Sequence, residues 1–179
     1  YKVMNGVITE TGEQLNVSYR YVGWLLTVPL LLLELVLVIR LTREETFSLG
    51  IKLTIAAVIM LLLGYYGEGL VDADQLQERS IYWSLAMFPF LFILYNLIIK
   101  LKTPISKQPK NVQSLVSNAR WLLIVSWTIY PVVYLLPIFH PSASYVSLQV
   151  GYTVADILSI ASFGIMIYLI AQRKSDIGA

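Results

Sequence analysis

Five apolar stretches divide this chain, at residues 17–41, 49–66, 80–101, 112–139 and 146–172, and the polar connections TREETFS, GEGLVDADQLQER, KTPISKQPKN and HPSASY separate them. A helix rises about 1.5 Å per residue, so roughly 18–20 residues cross a hydrocarbon core about 30 Å thick, and each stretch meets that length. Strands are not expected. No alternating pattern suggests a barrel, and backbone groups in lipid have to be paired within the spanning element. The pattern therefore predicts an all-α, polytopic membrane helical bundle with five transmembrane helices, forming a single domain over residues 1–179. Pro29, Pro89 and Pro131 fall inside the stretches, where neighbouring helices tolerate the freed backbone groups. Composition points the same way: the chain is 57% hydrophobic and 13% charged, with a mean hydropathy of +0.69, more apolar than a soluble domain of this size.

Charge orients the bundle. Arg40, Arg43 and Lys52 flank the first connection; Lys100, Lys102, Lys107, Lys110 and Arg120 lie in or beside the third; Arg173 and Lys174 follow the last stretch. These are alternate ends of successive helices, and the excess of Lys and Arg on cytoplasmic ends makes that face cytoplasmic. Glu10, Glu13, Glu68, Asp72, Asp74 and Glu78 take the opposite face, so the chain is expected to start outside and end inside. Trp121 and Tyr145 are placed as interfacial belt residues. The net charge is only +2 and its basic residues gather at helix ends, which points away from nucleic acid and towards the lipid bilayer as partner. With no cysteine and a lone His140, neither a disulfide nor a metal site is expected. The opening YKVMNGVITETGEQ lacks a signal-peptide pattern and, beginning on Tyr1, reads as a fragment.

Candidate chemistry lies in the few polar residues within the apolar stretches. In RYVGWLLTVPLLLLEL, Arg20, Gly23, Thr27 and Glu34 are spaced i, i+3, i+7 and i+14, one stripe of a helix, with Arg20 and Glu34 about 21 Å apart along the axis. Ionisable groups at such depth mark ion pathways, proton relays or counter-ions by default. Asp156 lies about ten residues into the fifth stretch, on the same outward half as Arg20, so these two are expected to pair, for function or simply to fix packing. Glu34 is expected inside the bundle near its cytoplasmic end, as a carboxyl able to donate a proton. Trp24, Trp127, Tyr130 and Tyr134 form an aromatic group, the last three on one helix face; on spacing alone this is more often packing than a ligand cage. No nucleophile–base pair, metal motif or phosphate loop is visible, so an enzyme is not expected.

The motifs, taken in order, resemble the microbial (type 1) rhodopsins, and the proteorhodopsins in particular. RYVGWLLTVPLLLLEL is similar to the family's third-helix signature, LLLGYYGEG to the end of the fourth helix, WTIYPVVY to the chromophore-facing part of the sixth, YTVADILSIASFG to the seventh, and MNGVITETG to the loop between the second and third. The resemblance implies that the five stretches are helices C to G of a seven-helix fold, with the first helix and most of the second absent. It further implies an integral protein of the plasma (inner) membrane of a bacterium or archaeon, with a cytoplasmic C-terminus. Trp24, Thr27, Leu31, Met60, Gly64, Trp127, Tyr130 and Tyr134 then correspond to the retinal pocket, Asp156 to a counter-ion, and Arg20, Glu34 and Asp156 to the proton pathway.

Two departures bear on function. The family's retinal-binding lysine lies four residues after the seventh-helix aspartate, where this chain has Ile160, and its counter-ion aspartate of the third helix is replaced by Gly23. The resemblance thus implies a member without covalent retinal that does not pump, acting as a binding, sensory or assembly protein, alone, as a homo-oligomer or with a partner membrane protein. A second reading is a non-covalent retinoid or carotenoid-type binder. The third, the family's light-driven proton pump or photoreceptor, requires other residues at positions 23 and 160.

Overall fold

The computed structural model describes residues 2–4, 7–9, 17–70, 73–139 and 145–176. Glu10, Glu13, Asp72 and His140 lie outside the described residues, as does the side chain of Tyr145. A short antiparallel hairpin, β1 (Lys2–Met4) with β2 (Val7–Thr9), pairs Lys2 with Thr9 and Met4 with Val7. It precedes the membrane stretches and is the one non-helical element among the described residues.

The apolar stretches fold as α1 (Ser18–Ile39), α2 (Arg43–Glu68), α3 (Leu76–Tyr95), the short α4 (Lys102–Ser106), α5 (Lys110–Phe139), α6 (Tyr145–Asp156) and α7 (Ser162–Asp176). One wide π turn, Asn96–Lys100, carries α3 towards α4, and another, Ile157–Ala161, joins α6 to α7. Five spans among the described residues are long and apolar enough to cross a membrane. Their boundaries differ from the sequence pattern mainly at α2, which begins within the first connection. Thr42 accepts the Glu45 N–H while the Glu45 carboxylate accepts the Thr42 N–H, a reciprocal cap that starts the helix before its apolar residues begin. At its other end α2 runs on through Glu68.

The outer faces are apolar, with Leu26, Phe88 and Val132 each more than 60% exposed, as lipid-facing surfaces are. Inside, Leu32, Leu35, Val36 and Ile39 of α1 pack with Leu53 and Ala57 of α2, Ile93 of α3, Leu123 of α5 and Phe163 and Ile170 of α7. A smaller cluster at the opposite end joins Tyr21, Trp24, Leu61, Val133, Leu148 and Tyr152. The α1 stripe expected to organise the chain faces elsewhere. The buried line runs through Leu31, Leu35 and Ile39, and Glu34 falls about 100° from its centre at about 100° per residue. Glu34 is therefore exposed on the α1 surface instead of buried in the bundle, and Gly23 is exposed as well.

The basic end is closed by a hydrogen-bonded latch. α1 ends on Arg40 in the left-handed conformation (φ 56°), whose N–H bonds the Leu37 carbonyl, and the last carbonyls still need donors. Lys174, from the last turn of α7 and almost fully buried, donates to Val38 O (2.6 Å) and to Gln108 Oε1 (2.7 Å). Gln108, just before α5, donates to Ile39 O (2.6 Å). Three chain segments are tied together at the carbonyl end of α1, where a cation is also favoured by the helix dipole. Lys174→Met should lower unfolding stability by about 2 kcal/mol, the scale of a buried charged group losing its partners. Arg173→Met, at the exposed neighbour, should change it by less than about 0.5 kcal/mol. Denaturation in detergent or nanodiscs measures both, and equal losses would show that charge, not the latch, matters at this end.

Candidate functional site

Between the two core clusters lies a cavity of about 100 Å³ with almost wholly apolar walls. α1 supplies Tyr21, Trp24 and Val28; α2 supplies Met60, Leu61 and Gly64; α3 supplies Trp83, Ala86, Met87 and Phe90. Trp127, Tyr130, Pro131 and Tyr134 of α5 and Tyr152 of α6 complete it. Gly64 matters for its size: a Cβ there would stand 3.2 Å from the Tyr21 hydroxyl. Six of the eight residues assigned to the pocket by resemblance line this cavity, namely Trp24, Met60, Gly64, Trp127, Tyr130 and Tyr134. Leu31 instead packs in the larger core cluster, and Thr27 turns its hydroxyl back to the Gly23 carbonyl at 3.0 Å.

The polar atoms of the aromatic walls point away from the space they enclose. Trp24 Nε1 (2.8 Å) and Tyr130 Oη (2.7 Å) both donate to Asp156 Oδ1. Since Tyr130 has one hydroxyl proton and spends it on Asp156, Ser159 Oγ, 2.7 Å away, donates to Tyr130. Trp83 Nε1 donates to Pro131 O (3.1 Å), Tyr134 Oη to Arg79 O (3.3 Å) and Tyr21 Oη to Glu68 Oε2 (2.7 Å). The rings themselves meet edge to face, Trp24 with Tyr21, Tyr130 and Tyr152 at centroid distances of 5.0–5.3 Å.

Next to the cavity, a charged network occupies the end opposite the latch. Arg20 Nη1 lies 3.4 Å from Glu68 Oε1, the one ion pair among the described residues, and Arg20 Nη2 donates to Gln149 Oε1. Its guanidinium carbon stands 4.6 Å from the Tyr152 ring centre and 5.6 Å from that of Trp24. The expected Arg20–Asp156 pair is not made. Arg20 is drawn to the nearer carboxylate at the end of α2, and Asp156 is satisfied by two neutral donors. Sequence reasoning placed Glu68 only among the outer-face acids and did not weigh Arg79 at all. Arg79 is the one basic residue at the acidic end of α3 and is fully buried. It donates to Glu68 O (3.1 Å), Leu70 O (3.2 Å) and Tyr134 O (3.2 Å), bridging α2, α3 and α5. That break in the charge asymmetry was the signal available in the sequence. Gly67 lets these helices meet, because a Cβ there would overlap the Tyr134 hydroxyl.

Ile160 sits on the wide turn one residue after Ser159, half-buried against the larger core cluster, outside the cavity lining. Gly23 has open space where a Cβ would project.

The profile of the bacteriorhodopsin-like protein family matches residues 1–173. This chain belongs to that family. It is 31% identical over 180 residues to the green-light absorbing proteorhodopsin of Gamma-proteobacterium EBAC31A08, a match covering 98% of this chain and 69% of that protein. The crystallographic structure of xanthorhodopsin, a light-driven ion pump with dual chromophore, superimposes with a TM-score of 0.88 at 45% identity, covering 98% of this chain and 70% of that one. A thermophilic rhodopsin gives a TM-score of 0.87 at 41% identity, with the same coverage of both chains. The rhodopsin-family chain is thus an integral membrane protein whose structural neighbours share its helical arrangement.

The Arg20–Glu68 pair is largely sheltered, with side chains 13% and 5% exposed. Arg20→Met or Glu68→Gln alone should each cost about 3 kcal/mol of stability, since each strands a buried partner. The double variant should cost clearly less than the sum. The cycle of Arg20→Met with Asp156→Asn, which share only Trp24 as a neighbour, should show clearly weaker coupling than the first. Chemical denaturation reads both cycles, and coupling in the second but not the first would reverse the assignment.

Proposed function

We propose that this member of the bacteriorhodopsin-like family neither attaches retinal covalently nor pumps protons, and that it holds an apolar ligand non-covalently in the cavity between its helices. The observation that carries the reading is Ile160 in the position where the family's seventh-helix pattern has its lysine. None of the cavity-lining residues is an amine. The lysines with described side chains lie at helix ends, in connections or, for Lys52, in the first turns of α2, and the one that is buried, Lys174, is committed to the latch. A Schiff base therefore has no partner within the pocket, whereas its aromatic and aliphatic walls suit a polyene or carotenoid-type hydrocarbon held by contact alone, for which the cavity of about 100 Å³ has to widen.

Gly23 fits the same account. With no cationic Schiff base to neutralise, a carboxylate at this exposed position would have no counter-charge to meet. Glu34, exposed on α1, is not placed to return a proton to the cavity. Binding would serve a sensory or assembly role in the membrane, with the C-terminus on the cytoplasmic side by the charge asymmetry, and no bond-making chemistry is assigned. Light-driven ion pumping, the activity of the relative xanthorhodopsin, is the competing reading.

Incubation with all-trans-retinal followed by borohydride reduction should leave no retinyl adduct in the last span by mass spectrometry. Three of the four tryptophans, Trp24, Trp83 and Trp127, line the cavity, so a bound polyene should quench intrinsic fluorescence reversibly. A stoichiometric adduct, or a visible pigment that hydroxylamine bleaches, would establish a Schiff base and return the chain to the pumping reading.

A further inference from the structure

The aromatic rings at the acidic end form a line. Tyr66 meets Tyr65 at a centroid distance of 5.8 Å, Tyr65 meets Tyr21 at 5.4 Å, Tyr21 meets Trp24 at 5.0 Å and Trp24 meets Tyr130 at 5.1 Å. Tyr82 joins its outer end and Tyr152 its inner end, so the ring-to-ring contacts among the described residues make one connected set. The outer end is open, since Tyr66 is 62% exposed. The 26 residues of α2 span about 39 Å at ~1.5 Å each, against a hydrocarbon core of about 30 Å, so Tyr66, two residues before the last of α2, lies at the boundary with water. At the inner end Tyr21, Trp24 and Tyr130 are walls of the cavity.

Packing alone does not account for the partners of the inner rings. Tyr21 Oη donates to Glu68 Oε2 at 2.7 Å, and Trp24 Nε1 and Tyr130 Oη donate to Asp156 Oδ1 at 2.8 and 2.7 Å. Each inner ring of the line thus faces a carboxyl group. Trp83 and Tyr134 line the same cavity, stand outside the line, and donate to main-chain carbonyls instead. A carbonyl satisfies a buried N–H or O–H, but a carboxylate can also take the proton away. A phenol that loses an electron becomes a strong acid. A base at hydrogen-bond distance lets it end as a neutral radical in place of a buried cation.

We propose that this line carries single electrons between the water boundary and the cavity, with Glu68 and Asp156 as the proton acceptors of its inner phenols. The oxidant it serves is, by class, the radical cation of a polyene in the cavity, and in this the proposal rests on the ligand reading above. That radical cation takes one electron from Tyr21 while the phenol O–H bond breaks and its proton passes to Glu68. Neutral polyene, a tyrosyl radical and a carboxylic acid result. An electron from Tyr66, relayed through Tyr65, then reduces the radical, and the proton returns from Glu68 to the Tyr21 oxygen. Tyr66, oxidised last, releases its proton to water and recovers electron and proton from a water-soluble one-electron reductant of the ascorbate or thiol class. The cavity ligand is thereby repaired in place.

A path that carries electrons inward also carries them outward, so an oxidant in the water tests it. Photogenerated tris(bipyridine)ruthenium(III) is the probe, the full chain in nanodiscs is the sample, and freeze-quenched electron paramagnetic resonance is the readout. In the wild type the radical should settle on the inner tyrosines, and that signal should vanish when Tyr21→Phe and Tyr130→Phe are combined. Tyr66→Phe should lower the inner signal several-fold, because the ring remains but its phenol is gone. Tyr168→Phe, at a residue 65% exposed and outside the line, should leave it unchanged. Tyr65→Phe should act as Tyr66→Phe does and is the second variant if the first does not fold. An inner radical formed at full yield in these two variants, or radicals confined to exposed tyrosines in the wild type, would overturn the proposal. The probe acts on protein without ligand, so this result is independent of polyene binding, which the fluorescence measurement decides separately.

Discussion

A polar group that enters this bundle has to find its partner inside the protein, because lipid offers none. Arg79 shows the rule at its strictest. Fully buried, it takes its acceptors from the frayed end of α2 and from the α5 backbone, and so fixes three helices at one point. The Glu68 side chain then remains for Arg20 and Tyr21, which brings the start of α1 to the same place. Lys174 and Gln108 do the equivalent work for the carbonyls at the other end of α1. The helix ends are thereby tied together at both faces, while the middle is left to apolar contact.

The cavity is a consequence of that division. The tyrosines and tryptophans around it are amphipathic, and each hydrogen bond described for them turns a hydroxyl or an indole N–H outward, towards Glu68, Asp156 or a main-chain carbonyl. Their rings are what faces inward. The chamber that results presents shape and apolar surface, and the Asp156 carboxylate behind its wall accepts from Trp24 and Tyr130. Its walls present rings rather than hydrogen-bonding groups, and the proposed contact binding of a hydrocarbon rests on that.

Much of this was legible before any coordinates. Five apolar runs of spanning length dictate five crossing helices, and the aromatic residues at 3 and 4 spacing on α5 do share the cavity wall. Six of the eight residues suggested by family resemblance line it. What was not legible has a common physical cause: the pattern of a single helix shows which residues share a face, but not which face meets another helix. Arg20 and Glu34 share a stripe, yet the stripe lies at the edge of the α1 packing surface, where Arg20 can reach inward and Glu34 cannot. Arg20 was matched to Asp156 by depth, whereas the partner it meets is the Glu68 carboxylate at the end of α2. Thr42 and Glu45 could have placed the start of α2, since a reciprocal cap is written in the sequence, but apolar content alone starts the helix too late.

The central proposal is that Ile160 and Gly23 leave this chain without the amine and the carboxylate that a covalently bound retinal needs. Its most direct measurement is the visible absorption of membranes carrying Ile160→Lys together with Gly23→Asp, supplied with all-trans-retinal. The account predicts a coloured pigment that hydroxylamine bleaches in the double variant and none in the original protein, with Ile160→Lys alone giving at most a weak or near-ultraviolet band. A double variant that folds and remains colourless in excess retinal would contradict the claim, and so would a bleachable pigment in the unaltered chain.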